Sequence, residues 1–208
     1  MKTVSLYNSE LQSIVIEALS SSIPCPWKNN QCPVDNIWFK DIHRKDNKLI
    51  FKSDVWMPLS KYIHANGVLN YSKVLRFVIC MGIQLTALTE INYGFTHINL
   101  DDIMVINEDW FLLTNFDNIS LLNKDGKINI TTPFSSQKFT APELKDIKTL
   151  PVDVDQSCSY YSIGMICLHL LGLEYNNNNM EKLYPSPLYF FLERCLYENP
   201  EKRAYLLI

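Results

Sequence analysis

Apolar and polar positions along the chain mark out a succession of short elements. Behind a capping residue at Asn8 or Ser9, Leu11, Ile14, Val15, Ala18 and Leu19 recur at helical spacing and predict an amphipathic helix over residues 8–19. Residues 20–36 hold three prolines, two cysteines and repeated polar side chains, which reads as a long loop. Two β-rich runs, 36–41 and 48–56, lie on either side of the polar turn Arg44-Lys45-Asp46-Asn47 and predict a hairpin. A short helix through Leu59, Tyr62 and Ile63 should stop at Asn66-Gly67. The clearest helix follows over about 70–92, where Tyr71, Val74, Leu75, Val78, Gly82, Leu85, Leu88 and Ile91 keep intervals of three and four. Ile103–Ile106 and Trp110–Leu113 flank Asn107-Glu108-Asp109 as a tight hairpin. Residues 115–140 read as a loop turning at 124–127, and the remainder as helical with a break at Pro185 and Pro187. The expected class is α+β, mainly α with small β hairpins.

Composition narrows the function. The 208 residues are 47% hydrophobic and 20% charged, enough apolar material for one real core. A net charge of -3 argues against a nucleic-acid partner, which needs a basic stripe. Glu10 and Glu17 interrupt the first twenty residues, so no signal peptide is expected. The uncharged run 156–173 is too short and too polar to span a bilayer, and reads as a helix buried on all sides. A cytoplasmic protein with no membrane partner is the expectation. Of the six cysteines, Cys80, Cys158, Cys167 and Cys195 sit in apolar stretches and read as small core residues. Cys25 and Cys32 share the proline-rich loop; a disulfide or half of a metal site stays open there, although zinc spacing is usually tighter. Only six glycines occur and none precedes Gly67, which excludes a glycine-rich phosphate cradle in the first part of the chain.

Four stretches taken in order carry a family resemblance: GFTHINLDDIMVINEDWFLLTNFD (94–117), FTAPEL (139–144), YYSIGMICLHLLG (160–172) and CLYENPEKR (195–203). A long helix, a His-x-Asn tripeptide, a small hairpin, a polar loop, Ala-Pro-Glu and a buried helix together resemble the C-terminal lobe of the eukaryotic protein kinases. The resemblance covers residues 58–208 as a helical C-terminal lobe, with 1–57 as a reduced N-terminal lobe of one helix and one hairpin.

Phosphoryl transfer in that family needs a base, metal ligands and a lysine on the nucleotide phosphates. The base position of His-Arg-Asp is Asn99 in His97-Ile98-Asn99, and an amide cannot take the substrate proton. Only Leu100 and Asp101 then precede Asp102, which as a hard oxygen donor could ligate magnesium but reads better as a turn-stabilising aspartate. Asp-Phe-Gly appears as Asn115-Phe116-Asp117, a neutral amide at the ligand position. Lys2 resembles the phosphate-pairing lysine only faintly, with Glu10 or Glu17 as its helix partner. His97 reads as a packed core histidine bonded to backbone, while His43, His64 and His169 are scattered. Glu143 and Arg203 match the family's structural ion pair, and Ser159 replaces the aspartate that braces the catalytic loop.

The resemblance therefore implies a pseudokinase: no enzyme, no cofactor, and a protein partner, an active protein kinase among the candidates. The alternatives are a degenerate nucleotide-binding switch and a weakly active Ser/Thr kinase with unusual ligands. Kinase-like lobes lacking most of the N-terminal lobe are similar to two kinds of protein. One is the lobe of cytoskeletal regulators that bind actin nucleators; the other is the truncated viral mimic that inhibits a host kinase, and a lone chain of this length resembles the second more. The reduced lobe should leave strand edges unpaired beside Ile37, Trp38, Phe39, Ile50, Phe51, Val55 and Trp56, with Trp38 and Trp56 as candidate interface anchors.

Overall fold

The computed structural model describes residues 2–7, 9–22, 40–45, 48–133, 135–175 and 177–206. The chain opens with β1 (Lys2–Tyr7), α1 (Glu10–Ser22), β2 (Lys40–Lys45) and β3 (Lys48–Ser53). Next come β4 (Trp56–Pro58), α2 (Leu59–Asn66), α3 (Tyr71–Glu90) and β5 (Tyr93–Phe95). After a single 3-10 turn at Leu100–Asp102 the strands β6 (Ile103–Ile106), β7 (Trp110–Leu113), β8 (Ile119–Leu121) and β9 (Lys127–Ile130) follow. The last part holds α4 (Pro142–Lys145), β10 (Val152–Asp155), α5 (Cys158–Leu170), α6 (Asn177–Glu181) and α7 (Pro187–Cys195). The fold is mixed α+β, with the described strands in four small antiparallel sheets.

Local chemistry sets these boundaries. The Asn70 side chain accepts the Lys73 N–H at 2.9 Å and starts α3. At the end of α2, Gly67 takes φ +74°, and its N–H donates to the Ile63 carbonyl at 2.8 Å. Helix α5 approaches α7 so closely that a Cβ on Gly164 would lie 2.9 Å from Leu196 Cδ2. α3 is long and apolar enough to cross a bilayer by composition alone. It is nevertheless a core helix: Val74, Phe77, Val78, Cys80, Met81, Leu85 and Leu88 are buried, and it packs against α1, α5 and β7. One hydrophobic cluster joins Val4, Val15 and Phe51 of the N-terminal elements to Phe77, Phe111 and Phe191.

Several expectations are corrected. β1 was not foreseen, and it pairs with β3, Val4 opposite Phe51 and Leu6 opposite Leu49. Since the sheet order is β1-β3-β2, both edges of β3 are paired, and Phe51 is 1% exposed, not an open-edge residue. The stretch expected as loop contains β8 and β9, and the helical remainder is interrupted by β10, which pairs with β9. Strands of three or four residues offer too few positions for a period of two to show. The expected boundary after residue 57 falls inside β4, which pairs with β6.

Candidate functional site

A tight polar cluster forms where the 3-10 turn Leu100–Asp102 enters β6, facing the chain that leaves β7. Asp102 is 5% exposed and both of its carboxylate oxygens are engaged. Oδ2 accepts the Asn99 backbone N–H at 2.8 Å, half of a capping box that holds the turn. Oδ1 accepts the Asn115 side-chain amide at 2.8 Å, and the Asp102 carbonyl accepts the Thr114 N–H at 3.0 Å. The Asn115 carbonyl oxygen in turn accepts the Asp117 N–H at 3.0 Å, which fixes the amide in one orientation. Burial pushes the Asp102 carboxyl above its ordinary range, against the opposing pull of the Asn99 and Asn115 bonds.

His97 is 3% exposed, and its Nδ1 lies 3.2 Å from the Thr96 hydroxyl. Burial holds its pKa below 6.5, with nearby Asp102 pulling the other way. Ile98 is fully buried, and Phe116 lies 6.1 Å from the Phe95 ring. Beside this cluster opens a polar cavity of about 330 Å³ lined by Thr96, His97, Asp117, Asn118 and Ser120, among others. Asp117 is exposed and offers its backbone, not its carboxylate, to Asn115. Among the described residues, no group of three or more His, Cys, Asp or Glu converges as a metal site. Ser159 donates to the nearby Gln156 carbonyl at 2.9 Å, a bond within its own turn.

The structure brings Glu143 and Arg203 together. Arg203 Nη1 donates to Oε1 at 2.6 Å and Nη2 to Oε2 at 2.9 Å, a bidentate fork. Nε donates to the Tyr197 carbonyl at 2.6 Å and Nη2 also to the Glu198 carbonyl at 3.0 Å. The guanidinium lies over the Tyr161 ring at 5.0 Å. With its side chain 0% exposed, this cation is fully paired in the protein interior.

Trp56 is partly buried, packed on the core and set edge-on to Phe51 at 5.3 Å, which makes it a plug between β3 and β4. Trp38, Ile37, Phe39, Cys25 and Cys32 lie outside the described residues, as does the side chain of Lys2. Cys80, Cys158, Cys167 and Cys195 are free and buried, and burial pushes the Cys80 thiol up to about 12.

Sequence reasoning missed three amides. Gln84, fully buried on α3, donates to the Phe111 carbonyl and accepts the Leu113 N–H, at 2.9 and 2.8 Å. Gln12 of α1 donates to the Leu113 carbonyl at 3.1 Å, so two helices satisfy the edge of β7. Asn107, at φ +49°, accepts the Asp54 N–H at 2.8 Å and the Ser53 hydroxyl at 3.0 Å. A polar residue amid an apolar helical stripe was the visible signal for Gln84. Comparison with known proteins finds no matching family and no matching curated protein.

Proposed function

We propose that this chain is a catalytically inactive, protein-kinase-like protein that acts by binding another protein, inhibiting or scaffolding an active kinase. The observation that carries the reading is the hydrogen bond from the Asn115 amide to Asp102. The resemblance puts metal ligands in this part of the chain. In their place an amide and a carboxylate satisfy each other, and the second carboxylate oxygen is held by the Asn99 N–H. A divalent cation would have to break both bonds and would gain one carboxylate. Asn99, at the base position, has no carboxylate to take a proton. Further support comes from a small sheet with one helix preceding a helical lobe, and from the Glu143–Arg203 fork.

Purified protein incubated with labelled ATP, magnesium or manganese and generic protein substrates is expected to show no phosphate incorporation above an Asn99→Ala control. Robust incorporation that disappears in the control would overturn the reading. ATP should likewise leave the melting temperature unchanged; a saturable ATP-dependent rise would favour the nucleotide-switch alternative instead.

A further inference from the structure

Tyr175, Tyr189 and Tyr197 line one open cavity of about 550 Å³ together with Met180, Glu193 and Glu198. Tyr175 is 50% exposed and Tyr197 40%, so two large rings meet water side by side at one concave place. Their neighbours hold them. The Tyr175 hydroxyl donates to the Leu196 carbonyl at 3.4 Å. Tyr189 is set edge-to-face against Tyr184 and Phe190, with ring centroids 5.2 Å apart in both pairs.

The charge around these rings has one sign in excess. Glu193 and Glu198 are exposed carboxylates on the wall, opposed by the single ammonium of Lys202 among the lining residues. Glu193 stands close enough to Tyr189 to raise the pKa of its phenol. The cavity also lies at the C-terminal end of α7, where the helix dipole is negative. Aromatic faces with carboxylates at the rim attract cations of low hydration, guanidinium above all. Arg203, whose guanidinium lies over the Tyr161 ring, shows that pairing in the same region but is fully committed to Glu143 and backbone carbonyls. Lys202 is the one cation in the lining, and among the described residues no cation lies over the Tyr175, Tyr189 or Tyr197 ring.

We infer that this cavity is a docking site for a basic side chain, arginine or lysine, presented by an exposed segment of a partner protein. The tyrosine faces bind the cation, Glu193 and Glu198 set its sign, and Met180 packs along its methylene stem. The inference does not depend on the kinase-like reading, because no residue of the 97–117 region takes part.

The test uses the full chain and nine-residue glycine-serine peptides bearing two arginines, two lysines, two citrullines or two norleucines, followed by amide NMR shifts. Arginine and lysine peptides are expected to give saturable shifts confined to residues around 175–202, with the neutral peptides at least roughly tenfold weaker. Glu193→Gln should weaken arginine-peptide binding several-fold. Tyr189→Leu should abolish it, while Tyr189→Phe, which keeps the ring, should retain it. If Tyr189→Leu fails to fold, Glu193→Gln, an exposed substitution, still decides. Absence of shifts, equal binding of citrulline peptides, shifts centred elsewhere, or unchanged binding by Glu193→Gln would each overturn the proposal.

Discussion

At position 115 an amide does two things that a carboxylate cannot do together. It accepts the Asp117 N–H through one end and donates to Asp102 through the other. Asn115→Asp would replace the donor with a second carboxylate facing a buried one, and two such groups cannot both ionise without cost. The folded variant would hold a proton that the unfolded chain releases, so its stability should fall as pH rises through the raised folded pKa. We expect its melting temperature to lie clearly below wild type at pH 7, with the gap narrowing as pH falls toward the unfolded carboxyl value of about 4. Millimolar manganese should restore the variant at pH 7 and leave wild type unmoved; equal melting temperatures at pH 7 would count against the Asn115–Asp102 bond. Arg203 is the other residue with much at stake, since its removal strands Glu143 and takes away four donated hydrogen bonds, two to that carboxylate and two to the Tyr197 and Glu198 carbonyls. Arg203→Ala should cost roughly 3–5 kcal/mol, or roughly 6–20 °C of melting temperature in a chain of this size. Arg203→Lys should recover only part of that, because a point charge cannot make the bidentate fork. Unchanged thermal melting of Arg203→Ala would show that the fork carries no stability.

Strand β7 illustrates how an element is completed by side chains from elsewhere. One of its edges pairs with β6; on the other, Gln84 and Gln12 meet the Phe111 and Leu113 backbone groups. Gln84→Leu keeps the volume but leaves two buried backbone groups without partners, at about 1–3 kcal/mol for each. Gln12→Leu strands one and should cost about half as much by urea denaturation; a smaller loss for Gln84→Leu than for Gln12→Leu would reverse the assignment. These amides also show what was legible in the sequence. The helix periodicity of α3, the stop at Gly67 and the hairpin around Asn107 are local signals, and the structure has each of them. The buried face of α3 departs from the predicted stripe, with Phe77, Cys80, Met81 and Gln84 buried and Ile91 exposed, because α1, α5 and β7 pack around the helix and their placement is not a local signal. β1, β8, β9 and β10 depend on partners distant in sequence, and a six-residue or shorter run carries little periodicity of its own. In the candidate site, the residue types at 99, 102 and 115 were readable; that the last two bond to each other was not, since it depends on how β6 and β7 bring them together.

At the scale of the whole molecule, the described N-terminal elements and the helices that follow share one hydrophobic cluster and several polar links. Helix α1 packs along α3 and reaches β7 through Gln12, and the Asn107 turn clips residues 53–55. Trp56 continues the contact by packing on Phe51 while its own strand pairs with β6. On the proposed binding role, such coupling would lower the ordering entropy lost when a partner docks. Among the described residues the hydrophobic cluster is continuous across the expected boundary after residue 57. Native-state hydrogen exchange should therefore give the amides of Val4 and Phe51 nearly the same opening free energy as those of Phe77 and Phe111. In Gln12→Leu combined with Asn107→Ala, two of the polar clips are lost and the sheet amides should exchange first, while α3 keeps most of its protection. If the sheet already exchanges far faster than α3 in wild type, the two parts open independently, and the clips at Gln12 and Asn107 do not join them.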